Sequence, residues 1–205
     1  MTVELLMIRH ARPHRVTHDP VGADPGLTDE GVVQAHTLAD RLAGEPYGEI
    51  TRIVSSSMRR ARETAEPLAT ALGVTLEIED RIVEVDSGWK NYGTAIASYP
   101  SRRAGWADLN SGSFGGNTFD ISAFRARVLA GFDHIIKTST PGSTVAVVCH
   151  GGVISTYLSH VLGTAKSFFV DVAYTSVSRI IAEADCYREL VSVNETSHLE
   201  RSHSS

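Results

Sequence analysis

Three short apolar runs, each followed by a helical pattern, constrain this chain more than any other feature. VELLMI (residues 3–8), TRIVSS (51–56) and STVAVVC (143–149) carry residues that suit a pleated, buried surface. After the first comes a helix over 26–44, with Thr28 as N-cap, Asp29 and Glu30 at its positive end, Val32, Ala35, Leu38, Ala39 and Leu42 on one face, and Gly44 as its stop. After the second comes a helix over 59–73, which has to kink or break at Pro67. After the third comes a helix over 151–163. A further strand is expected at 74–79, and Ile121, Phe124, Val128, Phe132 and Ile135 mark an amphipathic helix over 119–136. Residues 176–184 and 187–193 form two late strands, expected as a hairpin. Such alternation predicts an α/β fold, a three-layer α/β/α sandwich around a largely parallel sheet.

Length and composition narrow the reading further. With 205 residues, 42% hydrophobic and 21% charged, the chain is expected to form one domain with a substantial core. A net charge of −5 argues against nucleic acid or an anionic membrane as partner, since both favour a basic surface. Only two cysteines occur, Cys149 and Cys186, which suits a reducing compartment rather than a disulfide framework. The apolar stretch before Arg9 is too short for a secretory signal or a membrane span, so a cytoplasmic protein is expected. Residues 86–118 hold both tryptophans and many glycines, and are expected as a long excursion that caps a site. The polar stretch 194–205 is expected as a loose tail.

Charge gathers where the apolar runs end. The first ends on Arg9–His10, the second runs into Arg59, Arg60 and Arg62, and the third ends on His150 with Gly151 and Gly152 opening a helix. In open α/β sheets ligands bind beyond the carboxyl ends of the strands. Parallel neighbours would therefore bring Arg9, His10, one arginine of the second cluster and His150 to one edge, with the helix N–H groups at Gly151 aimed the same way. That combination suits phosphate. Cys149 invites comparison with the C-x5-R loop of cysteine phosphatases, but Ser155 stands where the arginine belongs, so Cys149 is expected as a buried thiol. His14 and His18 have a metal-binding spacing, but Pro13 and the loop setting make surface histidines the better reading.

Five elements in order resemble the histidine phosphatase superfamily, the phosphoglycerate mutase-like family. They are IRHAR (8–12), LTDEGVVQAHTLADRL (27–42), SSSMRRARETAEPLA (55–69), VEVDSGW (83–89) and VVCHGG (147–152). One departure is plain: Ala11 stands where the family tripeptide has glycine, and RPHR follows it. The resemblance implies a phosphoglycerate mutase-like fold and a metal-independent phosphatase without cofactor, acting on a small phosphorylated substrate. It makes His10 the nucleophile that becomes a phosphohistidine. Arg9, Arg60, His150 and Gly151 become the phosphate clamp, with His150 also counted among the catalytic residues, and Glu84 becomes the proton donor. Arg12, His14, Arg102 and Arg103 are candidate substrate contacts, and Trp89, Tyr92, Tyr99 and Trp106 candidate walls. The family also implies a homodimer. A mutase is the alternative activity, and a non-catalytic phosphate-binding scaffold the alternative class.

Overall fold

The computed structural model describes residues 2–44 and 47–199. Its centre is a six-stranded sheet of β1 (Val3–Arg9), β2 (Ile50–Ser55), β3 (Leu76–Ile78), β6 (Thr144–Cys149), β7 (Val177–Ala182) and β8 (Arg188–Glu195), in the order β3-β2-β6-β1-β7-β8. The first four strands are parallel, whereas β7 and β8 close one edge as an antiparallel hairpin against β1. A two-stranded hairpin of β4 (Ser113–Phe114) and β5 (Asn117–Thr118) lies apart from the sheet. Among the described residues, five α-helices accompany the sheet: α1 (Asp29–Leu42), α2 (Arg59–Leu72), α3 (Arg102–Leu109), α4 (Ile121–Thr138) and α5 (Gly151–Val161).

Successive residues of β1 serve opposite layers, as a pleated strand requires. Leu6 and Ile8 pack with Leu38, Ala39 and Leu42 of α1 and Ala61, Ala65 and Leu68 of α2. Leu5 and Met7 pack with Phe124, Val128 and Phe132 of α4 and Val153, Ile154 and Tyr157 of α5. All six residues of β6 are buried, the pattern of a strand covered on both faces. The three-layer α/β/α expectation therefore describes the molecule. Among the described residues, no helix is long and apolar enough to cross a membrane.

Local chemistry explains the elements nearest the site. Thr28 caps α1 by accepting from the Gly31 amide at 3.0 Å while its hydroxyl donates to the Arg12 carbonyl. Gly31 is needed there, because a Cβ would lie 2.1 Å from that carbonyl oxygen. The first helix is thus seated directly on the segment leaving β1. At Pro67 the outcome differs from expectation: α2 continues unbroken through it. The proline forfeits one backbone bond, but Ala61, Ala65 and Leu68 hold the helix stripe against the sheet, and tertiary packing outweighs the local loss. The loose-tail expectation also needs correction. Residues 194 and 195 belong to β8, His198 is buried with Nε2 3.2 Å from Thr175 Oγ1, and of the tail residues 200–205 lie outside the described ones.

Candidate active site

Sheet order explains why distant residues meet. Strand β6 lies between β1 and β2, so their carboxyl ends form one edge, with Arg9 paired in register to Cys149. The connections from β1 and β2 lead to helices on one face, and that from β6 leads to α5 on the other, which opens a crevice at this edge. A cavity of about 200 Å³ occupies it, lined by Arg9, His10, Arg60, Glu84, Asp86, Gly151 and Gly152 at its floor.

His10 is almost wholly buried, and its Nδ1 lies 2.8 Å from the Ala11 carbonyl oxygen. A carbonyl only accepts, so Nδ1 carries the proton and Nε2 keeps a free lone pair. Burial, reinforced by the positive charge of Arg60 and Arg9, lowers the imidazole pKa well below its usual value and keeps the ring neutral. Ala11 itself is fully buried and has no positive φ, and its amide donates to Thr64 Oγ1 at 2.9 Å. An alanine therefore fits the position where the family tripeptide has glycine.

Arg60 is fully buried, a costly place for a guanidinium without compensation. Its Nη2 donates to Asp86 Oδ1 at 2.8 Å, and its plane lies over the Tyr92 ring at 4.6 Å. Among the described residues its Nε and Nη1 have no hydrogen-bond partner, although Nη1 comes within 3.9 Å of Asp24. Arg9 donates through Nη1 to the Val172 carbonyl and stacks on Tyr174 at 4.2 Å, while its Nε is also unpartnered. Buried donors without acceptors are rare because each costs its desolvation. Here three guanidinium nitrogens share that condition around His10, the signature of a site built for an anion.

His150 packs against the His10 ring, with centroids 5.1 Å apart, and is wholly buried behind it rather than part of the cavity wall. Its Nε2 lies 2.8 Å from Ser56 Oγ, which also accepts the Met58 amide. The Ser56 hydroxyl can then donate to Nε2, which leaves the proton on Nδ1, a buried donor without a protein acceptor. Burial first, and then Arg60, His10 and Arg9, keep this second imidazole neutral as well.

Glu84 stands opposite. Its Oε2 accepts the Gly152 amide at 2.7 Å and its Oε1 the Val85 amide at 3.0 Å. Burial, followed by the charge of Asp86, raises its pKa, while the two amides and Arg60 pull it down. The balance leaves a carboxyl that holds its proton above the ordinary carboxylate range. Gly152 is required by this arrangement, because a Cβ there would meet Glu84 Oε1 at 2.4 Å. Gly152→Ala is expected to displace Glu84 and lower kcat/KM about 100-fold with the fold retained. Steady-state kinetics beside circular dichroism checks this, and unchanged kinetics would remove Glu84's present position from the chemistry.

Other sequence expectations fare unevenly. Arg12 is half-exposed and paired with Glu30, His14 is exposed, and neither lines the cavity. Arg102 lies outside it, paired with Asp171 at 3.3 Å, and Arg103 opens onto a separate hollow beside Lys166. The structure does not bring these four to the cavity. Residues 86–118 do supply one wall, including Trp89, Tyr92, Ile96 and Trp106, whereas Tyr99 stands behind it, stacked on Phe114. The loop after β1 braces this cap through backbone bonds such as Val16 N–H to the Tyr92 carbonyl at 3.0 Å. Sequence reasoning missed the opposite wall, Phe168, Val170, Asp171 and Tyr174, and also Asp86. An aromatic-rich SFFVDVAY stretch (167–174) in a segment without helix or strand was the available signal. Burial drives the Cys149 thiol pKa far up, which makes it inert.

Comparison with known proteins is consistent with this geometry. The family model of the histidine phosphatase superfamily (branch 1) matches residues 5–196. The chain is 31% identical over 205 residues to a bifunctional protein of Mycobacterium tuberculosis, covering 95% of this chain and 54% of the other, so it spans about half the length of that relative. It is 28% identical to phosphoserine phosphatase 1 of Hydrogenobacter thermophilus, covering 96% of this chain and 94% of that one. A mycobacterial glucosyl-3-phosphoglycerate phosphatase solved with vanadate shares the fold, with a TM-score of 0.75 and 22% identity over 94% of this chain and 99% of the other. With its fold, its ordered motifs and a family match over nearly its whole length, the chain belongs to the histidine phosphatase superfamily (branch 1).

Proposed function

We propose that this chain is a metal-independent phosphatase that hydrolyses a phosphomonoester through a phosphohistidine on His10. The observation that carries the reading is the set Nδ1 and Nε2 of His10: the first is held by the Ala11 carbonyl, and the second is free among buried guanidinium donors that lack acceptors. Relatives whose names denote phosphatases support the same reaction class.

Substrate phosphate binds between Arg9 and Arg60, with the N–H group at Gly151 adding the positive end of α5, while the Gly152 N–H stays with Glu84. His10 Nε2 attacks phosphorus in line as the bond to the leaving oxygen breaks. Glu84 gives its proton to that oxygen, and the alcohol departs. The Glu84 carboxylate then takes a proton from water, the hydroxide attacks phosphorus, and the P–N bond breaks. Neutral His10 and inorganic phosphate result. Arg9 and Arg60 supply charge stabilisation to the equatorial oxygens throughout, which is where most catalysis of phosphoryl transfer lies.

The pH dependence tests this assignment. His10 must be unprotonated, and its lowered pKa satisfies this well into the acid range. Glu84 must be protonated for the first step, and its raised pKa carries that condition above the ordinary carboxylate range. The kcat/KM of phosphate release is therefore expected to be bell-shaped with an optimum on the acid side of neutrality. It rises as His10 loses its proton and falls as Glu84 loses its own. A rate that climbs steadily through pH 8 would contradict these roles.

A further inference from the structure

Beyond its phosphate end, the cavity wall is largely apolar, with Asn91, Thr94, Ser155 and Asp171 among its polar side chains. Ile96, Trp106, Leu109 and Phe114 come from the cap, and Phe168 and Val170 from the segment after α5. These walls are continuous with the main core: Phe168 is 1% exposed and stacks on Phe124 at 5.8 Å, and Ile96 and Leu109 are buried in the same cluster. They are therefore fixed before a ligand arrives, which spares the ordering cost of binding. At 10–15 Å³ for each water-sized group, about 200 Å³ holds a phosphoryl group and roughly a ring beside it.

Charge is as informative as shape. Apart from the groups at the phosphate end, the charged residue among the described lining is Asp171, an anion. Arg9 is committed at the phosphate end to the Val172 carbonyl and the Tyr174 ring, and it also pairs with Asp171 at 3.8 Å. Arg102, which a substrate carboxylate would need, stands outside the cavity at 60% side-chain exposure and is already paired with Asp171. A second carboxylate on the substrate would thus be desolvated against aromatic rings and face Asp171 with no cation of its own. That arrangement costs binding rather than adding to it.

We propose that the phosphoester taken by this site carries an uncharged, ring-bearing apolar alcohol, because Trp106, Phe114, Phe168 and Val170 wall the space beyond the phosphate clamp and supply no partner for a second anion. This rests on the phosphatase reading above and adds the substrate class to it. Esters of small hydroxy acids are accordingly poor substrates here, although relatives of this chain are named for phosphoserine and glucosyl-3-phosphoglycerate.

The test compares primary alkyl phosphates of similar leaving group: 2-phenylethyl phosphate against phosphoserine and 3-phosphoglycerate, with p-nitrophenyl phosphate as a reporter of phosphatase activity itself. The phenylethyl ester is expected to exceed both acids in kcat/KM by about 100-fold or more, in line with what apolar pockets discriminate. Trp106→Ala is expected to shrink that ratio about tenfold. Release from all esters with the acids equal or preferred overturns the substrate class and leaves the phosphatase reading standing. Absence of release even from p-nitrophenyl phosphate overturns the phosphatase reading, and calorimetry then still decides the ligand class. In that measurement 2-phenylethylphosphonate is expected to bind at least about tenfold tighter than the phosphonate analogue of phosphoserine, and the reverse order overturns the inference.

Discussion

His10→Ala is expected to lower kcat/KM for phosphomonoester hydrolysis by about 10⁴-fold or more, the scale seen when a covalent nucleophile is lost. Its geometry is what makes the loss so large. Among the described residues of the cavity wall, Nε2 is the neutral nitrogen that combines a free lone pair with flanking guanidinium groups. His150 cannot take over, since it lies behind His10 with Nε2 occupied by Ser56. Affinity for inorganic phosphate is expected to stay within a few-fold of wild type, because Arg60 remains fixed by Asp86 and Arg9 by Val172 and Tyr174. Steady-state kinetics together with phosphate-binding calorimetry separates the two effects. A variant within tenfold of wild type would take His10 out of the chemistry.

The second large effect belongs to Glu84→Gln. For an alkyl phosphate, whose departing oxygen needs a proton, the loss is expected at about 10²–10⁴-fold in kcat/KM, the usual worth of a general acid. For p-nitrophenyl phosphate the first step is largely spared, because that leaving group departs without protonation. The second step is not spared: water must still lose a proton, and glutamine cannot accept it. Rapid mixing should then show a burst of nitrophenol close to one per active site, followed by slow turnover. The glutamine carbonyl can retain the Gly152 amide bond that Glu84 makes at 2.7 Å, so a change of fold is not expected to confuse the result. Equal losses on both substrates would assign Glu84 a positioning role instead.

Much of this site is legible in the amino-acid sequence. Strand ends show as apolar runs that stop at charge, and parallel order follows from strand–helix alternation, which suffices to gather Arg9, His10, one arginine of the second cluster and Gly151 at one edge, whereas only the resemblance to the family singles out Arg60 and Glu84, which line the same cavity. His150 comes to the same edge but behind the wall, a distinction of depth that periodicity does not encode. Arg12 and Arg102 look like anion ligands from charge alone, yet each finds a closer carboxylate, in Glu30 and Asp171. Asp86 escapes notice because its importance is relational: it offsets the buried charge of Arg60 and raises the pKa of Glu84. Phe168 and Val170 escape for a different reason. They lie in a segment without a regular period, and only the tertiary path carries that segment across from α3. Pro67 misleads in the opposite direction, because a local breaking signal is outweighed by packing of the helix stripe.

Every step of the proposed reaction passes through a covalent phosphoryl group on His10, and that group can be trapped. Enzyme mixed with excess p-nitrophenyl phosphate, quenched within milliseconds under alkaline denaturing conditions and digested, is analysed by peptide mass spectrometry. One phosphoryl group, acid-labile and base-stable, is expected on the peptide that contains His10, increased by Glu84→Gln and absent from His10→Ala. Turnover with no trapped phosphoryl group in either wild type or Glu84→Gln, or a group found on another residue, would contradict the proposed reaction.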